Sequence, residues 1–237
     1  MLITELWRYP VKSLQGEQLD AVEVTGAGLR GDRAYAIFDA ETGLGLTARR
    51  IPQLLFASAR LHDDGTAEII LPSGAVAKDD DALSRWLDRR VTLRSANDDV
   101  QPRYENVADF EHEATSAWEL FEGGTSAFHD SPEAVVSLLS YATITGWAPR
   151  RFRANLLFDG VSEETLVGSR LKLGDAELDI GDCLERCVMV TRPQPEGIDK
   201  DLDVLRTIHR QREGCLAVGA LVATPGTVHV GDELIVR

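Results

Sequence analysis

The chain has 237 residues and a mass of 26.0 kDa; 43% of its residues are hydrophobic and its formal charge is −14. A charge of that sign excludes the broad basic face that nucleic acid requires and is repelled by an anionic membrane, while the hydrophobic share excludes a disordered chain. A chain of this length buries roughly 70% of its unfolded surface without disulfide or metal staples, as one large β domain or two small ones. The acidity reads as solubility, or as a docking patch for a basic or metal-bearing redox partner.

Residues 2–7 alternate as a strand ended by Pro10, which leaves Lys12 and Ser13 on a cationic loop before a second strand pattern at 19–24. A lysine in such a loop is ordinarily a solvated surface residue. Gly26, Gly28 and Gly31 mark a turn-rich segment. It lacks the strand, Gly-x-Gly-x-x-Gly turn and helix of a dinucleotide fingerprint, and the adjacent Asp32 and Arg33 read as a structural ion pair. After a strand at 34–38 and a hairpin turn at 39–43, Thr47, Arg49 and Arg50 lie in an extended segment. Adjacent side chains there face opposite sides, so only one arginine can enter a given cleft.

Further strands are predicted at 54–61, 66–71 and 91–94. Ala82, Leu83, Trp86 and Leu87 have the spacing of a short amphipathic helix, with Asp79, Asp80 and Asp81 before it as caps, not catalysts. Residues 97–125 follow no period and read as a long connection, a kind of segment that often forms lids or partner surfaces. His112 and His129 lie near it without metal-ligand spacing.

In the second half, Ser131 followed by Pro132 can cap a helix, or residues 135–139 can form a buried strand. Arg151, Arg153 and Asn155 stand just before the strand-like Leu156, Leu157 and Phe158, where polar side chains reach a cleft. A hairpin is predicted over 171–180. Cys187 opens the apolar run Val188, Met189 and Val190, read as the next strand, directly after Arg186, a cation that favours a thiolate. A loop at 191–200, a helix at 202–212 with Leu202, Leu205 and Ile208 inward, and strands to residue 236 complete a β-rich half.

The chain has three cysteines, Cys183, Cys187 and Cys215. The odd count and the absence of a secretory leader pattern favour a reducing compartment, and a cytoplasmic location is expected. No apolar run reaches membrane-spanning length. A structural zinc site needs four ligands, commonly two close pairs, and only one C-x-x-x-C occurs. A disulfide between Cys183 and Cys187 is out of reach if the segment is extended. A cysteine hydrolase would need an oriented histidine, and His129 and His209 carry no local signature. A buried structural thiol suits Cys183 and Cys215 better than Cys187.

Seven motifs follow one another along nearly the whole chain: Tyr9-Pro-Val-Lys-Ser13, Gly31-Asp-Arg33, Thr47-Ala-Arg49, Asp130-Ser-Pro132, Arg151-Phe-Arg-Ala-Asn155, Arg186-Cys187 with Thr191, and Pro225-Gly-Thr-Val-His-Val-Gly-Asp232. In that order they resemble the MOSC domain, preceded by the β-barrel-like domain found in amidoxime-reducing proteins. The resemblance implies a mainly β fold with a few short helices (α+β), in which an N-terminal β-barrel-like domain with its connector, residues 1–115, packs on a C-terminal MOSC β-barrel, residues 116–237. For the segment around Ser131 it implies a strand and then a helix, with Asp130 and Ser131 facing a cofactor.

The resemblance further implies a molybdenum cofactor (molybdopterin) whose metal is coordinated by Cys187, the catalytic residue. Lys12, Ser13, Thr47, Arg49, Asp130, Ser131, Arg153, Asn155 and Arg186 are then the residues that hold the cofactor. Relatives of this kind reduce N-hydroxylated small molecules such as amidoximes and hydroxylaminopurines. Thiolate ligation matches a soft metal, and removal of oxygen from nitrogen matches a two-electron molybdenum couple. No cysteine-rich ferredoxin stretch follows residue 237, so electrons are expected from a separate ferredoxin- or flavin-type protein. The same resemblance allows a second role, a sulfur-carrier or cofactor-handling module that holds persulfide sulfur on Cys187 without turnover. Two departures stand out: Ala154 replaces a usual proline, and Glu185 stands where a relative often has serine.

Overall fold

Ile3 and Leu6 point inward from the first strand, Ile3–Arg8, and that strand ties the two ends of the chain together. In this computed structural model, which describes residues 1–124 and 126–237, it is part of an eight-stranded sheet. The order across the sheet is Ile235–Val236, Arg170–Leu173, Ala176–Glu185, Cys215–Thr224, Val136–Ser140, Leu156–Phe158, Ile3–Arg8 and Glu17–Leu19. Neighbours are antiparallel except Val136–Ser140 and Leu156–Phe158, which run parallel with Leu138 opposite Leu156. A parallel pair needs a crossover, and here it contains the 3-10 turn Pro149–Phe152 that leads into Arg153 and Asn155. Leu6 pairs with Leu156. The loop carrying Lys12 and Ser13 is thereby brought to the arginine segment nearly 140 residues away in sequence.

One apolar cluster lies against this sheet and includes Ile3, Leu6, Val136, Leu138, Phe158, Leu171, Leu178 and Val218. A second, built from Val11, Leu14, Ile37, Leu54, Leu55, Ile69, Leu83 and Leu87, fills the N-terminal half. Its walls are the paired strands Tyr35–Asp39 and Val91–Ser95, the three-stranded sheet of Ser58–Leu61, Ala67–Ile70 and Val76–Ala77, and the helix Asp80–Leu87. Asp79 caps that helix by accepting from Ala82 N at 2.8 Å. The architecture is mainly β with two α-helices among the described residues. The expected helix at 202–212 is present as Leu202–Arg212, with Val204, Leu205 and Ile208 buried and Leu202 at the margin.

Five elements differ from expectation. Residues 48–50 form a turn closed by Arg50 N and Ile51 N on Thr47 O, where an extended segment was expected. Leu54 and Leu55 lie on the 3-10 turn Pro52–Phe56 and not on a strand, because Pro52 favours a helical first position; the strand begins at Ser58. The connection 97–125, whose last residue lies outside the described residues, contains the hairpin Arg103–Val107 with Trp118–Glu122. Tyr104 of that hairpin is fully buried, and a Cβ at Gly45 or Gly123 would strike its ring. After the strand Val136–Ser140 come turns and the short 3-10 segment, where the resemblance implies a helix. Val188–Thr191 is a 3-10 turn and not a strand, with Cys187 as its N-cap residue.

Glu163 is only 1% exposed and accepts from Ser140 N at 3.1 Å, Ala217 N at 3.3 Å, Arg212 Nη2 at 3.2 Å and the Thr143 hydroxyl. Every partner is a donor, so the site requires a carboxylate. Glu163→Gln places an amide NH2 among donors and is expected to cost about 2 kcal/mol; urea unfolding checks this, and an unchanged midpoint would contradict it.

Candidate functional site

Nine of the ten residues proposed from sequence line one cavity of about 750 Å³: Lys12, Ser13, Arg49, Asp130, Ser131, Arg153, Asn155, Arg186 and Cys187. Thr47 is buried but lies outside the lining; its carbonyl accepts from Arg50 N and Ile51 N and shapes the turn that carries Arg49. Arg50 faces the other way, over the Trp118 ring at 4.5 Å and near Glu105. The cavity wall also includes Arg33, His129, Phe152, Cys183, Glu185 and Met189. Arg33 does pair with Asp32, yet it shares the wall.

The backbone around the cavity is held in uncommon conformations. Ser13, Arg33 and Arg153 have φ of 69°, 52° and 53°, the left-handed region that costs a non-glycine residue roughly 1 kcal/mol. Each is fixed by hydrogen bonds. Ser13 Oγ accepts from Ala48 N at 3.1 Å, Arg33 N donates to Tyr9 O at 2.7 Å, and Arg153 Nη1 donates to Leu14 O at 2.6 Å. Ser13 thus holds the Arg49 turn in place. Arg153 and Arg33 also lie over the Tyr9 ring, at 4.2 and 5.0 Å.

Asp130 is the electrostatic centre. Its carboxylate accepts from Lys12 Nζ at 2.6 Å and from Arg49 Nη2 at 2.5 Å, while Arg49 Nε donates to Cys187 Sγ at 3.2 Å. A single guanidinium therefore bridges a carboxylate and a thiol. The Asp130 side chain is 47% exposed, but its open side faces the cavity. Burial works against its charge, and Arg49 and Lys12 outweigh burial, holding the carboxyl well below the usual range. Burial likewise opposes the charge on Arg49, and Asp130 and Cys187 more than offset it, so its pKa is raised. For Arg153 burial prevails and lowers the pKa to about 10, with Tyr9 opposing.

Of the assigned residues, Asn155 is already fully engaged by protein and Arg186 only in part. Asn155 Oδ1 accepts from Ser137 N and Ser137 Oγ at 3.1 and 2.9 Å, and Nδ2 donates to Trp7 O at 3.2 Å. It ties three strands together. Arg186 Nη2 donates to Phe152 O at 2.6 Å, whereas its buried Nε has no partner. Arg151 points away from the cavity and holds the chain beyond Cys187 by donating to Val190 O, Arg192 O and Asp199 O. Of the three free thiols, Cys183 meets Cys215, and burial followed by that contact pushes the Cys183 thiol up to about 12. Cys183 lines the cavity as an un-ionised thiol; Cys187 is the one held by a cation.

Burial pushes Lys12 down to about 8, against the opposing pull of Asp130. Its folded pKa lies below the unfolded value of 10.5, so the charge costs stability below pH 8, and that cost is relieved as pH rises from about 8 to 10.5. Anion binding has the opposite sign, because an anion beside Lys12 favours the protonated form. Sulfate, whose own charge is constant, is expected to bind at least about fivefold more weakly at pH 9.5 than at pH 7. Calorimetric titration checks this. Lys12→Met should remove the dependence, and a flat profile in the wild-type chain would contradict the assignment.

These features define a β-rich protein with a partly open cavity lined, among the described residues, by five cations and five carboxylates, and one guanidinium-held thiol in its wall. Residues 1–117 match the family model described as the MOSC N-terminal beta barrel domain and residues 126–235 that of the MOSC domain, and the chain belongs to this family. It is similar to mitochondrial amidoxime reducing component 2 of Bos taurus, 26% identical over 242 residues, covering 89% of this chain and 72% of that protein. Mitochondrial amidoxime-reducing component 1 of Homo sapiens is 24% identical over 281 residues, covering 98% and 82%. Among solved structures, the YUAD protein from Bacillus subtilis is 14% identical with a TM-score of 0.43, covering 98% of this chain and 93% of that one. Among the described residues no helix is long and apolar enough to cross a membrane.

Proposed function

We propose that this protein is a molybdenum-cofactor-dependent oxidoreductase that reduces N-hydroxylated small molecules with electrons from a separate ferredoxin- or flavin-type donor. The observation that carries the reading is the chain of contacts from Lys12 and Asp130 through Arg49 to Cys187 in the wall of one cavity. The names of the curated relatives support the choice of substrate class. The expected cytoplasmic location belongs to the same proposal, supported by three unbridged thiols.

The residues fit the cofactor on three counts. The cavity has the size of small-molecule sites. Two buried nitrogens at its wall, His129 Nε2 and Arg186 Nε, have no protein partner. Among the described residues no cluster of three or more metal-ligating side chains occurs, so a metal that arrives with ligands of its own suits the single thiol of Cys187. Lys12, Arg49, Ser131, Arg153 and Arg186 would hold the phosphate and pterin of the cofactor, and Cys187 its metal. When bound, the cofactor supplies a two-electron couple.

The chain's own residues do the rest. Arg49 holds Cys187 at a fixed place, and Ser13 and Asn155 set the backbone. Each turnover converts an N–OH group to N–H with release of water, using two electrons and two protons. A sulfur carrier would need Cys187 but not a space of this volume with five cations in its wall, so the reductase reading accounts for more of the site. Cofactor-loaded protein with reduced methyl viologen is expected to convert benzamidoxime to benzamidine, followed by chromatography. Loaded protein that yields no benzamidine would sink the proposal.

A further inference from the structure

The sequence gives His129 no role: it lies next to Asp130 and has no metal-ligand spacing. In the structure it is 5% exposed, lines the cavity, and its Nε2 is buried with no hydrogen-bond partner. Buried polar atoms are ordinarily paired, and an exception calls for an explanation. The backbone fixes the residue on both sides: His129 N donates to Ala127 O at 2.8 Å, Gly124 N donates to His129 O at 3.0 Å, and Asp130 is held by Lys12 and Arg49. These bonds fix the backbone that carries the ring.

We infer that His129 contacts the ligand of the cavity directly, its ring turning to present Nε2 to the cavity and donate a hydrogen bond to an anionic oxygen of that ligand. The inference rests on the reading of the cavity as a site for a phosphate-bearing molecule. The charged groups facing the ring are Arg33, Asp32, Lys12 and Asp130. Burial first, then Arg33, lowers its pKa to about 4, so the ring stays neutral through the physiological range and adds a donor without adding charge. An anionic oxygen drawn in by Lys12, Arg33 and Arg49 only accepts. The tautomer that complements it carries its proton on Nε2.

The test uses sulfate, which has acceptors only, and 15N-labelled protein in which the imidazole signals of the five histidines are recorded by long-range proton–nitrogen correlation, with His129→Asn assigning His129. Titration with sulfate is expected to move the His129 Nε2 proton signal downfield, His129→Ala to weaken sulfate binding roughly tenfold, and His129→Asn to retain part of the affinity. Thermal unfolding of both variants shows that they are folded. No movement of the His129 signals, whether sulfate binds elsewhere or not at all, overturns the inference, as does unchanged affinity in a folded His129→Ala. Pterin content after expression separates the two readings. Sulfate that moves His129 in a protein that takes up no pterin upholds the contact and removes the cofactor, while equal pterin uptake by wild type and His129→Ala with unmoved signals does the reverse.

Discussion

Cys187→Ser is expected to abolish reduction of an N-hydroxylated substrate while most of the bound pterin remains. The sulfur is held by Arg49 Nε at 3.2 Å in the cavity wall, and a soft metal takes a thiolate far more readily than a serine hydroxyl, which is harder and stays protonated. In the proposed reading, phosphate and pterin would be held by other residues, Lys12, Arg49, Arg153 and Arg186, which the substitution leaves intact. Turnover should fall by at least about a thousandfold, as expected for removal of a group on which the chemistry depends. Cys183→Ser and Cys215→Ser should keep activity and cost about 1 kcal/mol of stability at most, since Cys183 is an un-ionised thiol beside Cys215. Activity, pterin content and thermal unfolding of the three variants provide the comparison. Full activity in Cys187→Ser would end the assignment, and loss confined to Cys183→Ser would transfer it to that residue.

Arg49→Met is the second substitution with a large expected effect. Arg49 is 6% exposed and joins Asp130 to Cys187, so methionine keeps the buried stem but removes both the cation and the bridge. Asp130 is then left with Lys12 as its cationic partner in this cluster. Retained pterin is expected to fall by roughly a hundredfold, the scale for losing a bidentate charged contact in a partly enclosed site. The Cys187 sulfur should also change its rate of alkylation with iodoacetamide, because the guanidinium that contacts it at 3.2 Å is gone. Mass spectrometry after timed alkylation measures the second effect independently of any cofactor. Unchanged pterin content together with unchanged alkylation would show that Arg49 is only a structural ion pair.

The site residues were legible as types and positions, not as a network. Arg49 is preferred over Arg50 by the family resemblance alone, and the structure does place Arg49 inward and Arg50 over Trp118, on a turn and not on the extended segment expected. Nothing in the sequence shows that Asp130 occupies both Lys12 and Arg49, or that the Asn155 amide is spent on Ser137 and Trp7. Those pairings join residues more than 15 to nearly 150 positions apart and depend on the sheet order. His129 was passed over because a lone histidine has no spacing to read; its adjacency to Asp130 was the one available signal.

Secondary structure was clearest where a period persists. The eleven-residue helix Leu202–Arg212 repeats its apolar face and is capped by Asp201. The three-residue run after Cys187 is too short for a period to separate a strand from a buried turn, and it folds as a 3-10 turn. The hairpin Arg103–Val107 with Trp118–Glu122 was hidden for a different reason. Its outer strand has the burial pattern of a half-exposed surface, and its stability comes from Tyr104 sealed between Gly45, Gly123 and Phe121, contacts that alternation does not report. The mutual pairing of Ala21–Thr25 with Gly226–His229, at opposite ends of the chain, is equally beyond local pattern.

The central claim is that this cavity holds a molybdenum-bearing pterin through Cys187. Its most direct test is the metal and pterin content of the folded protein purified from a host that synthesises molybdopterin, measured by plasma mass spectrometry and by fluorescence of the oxidised pterin. The account predicts molybdenum and pterin in about a one-to-one ratio to each other and to the chain, with molybdenum lost and pterin largely kept in Cys187→Ser. Fully folded wild-type protein that contains neither would contradict it.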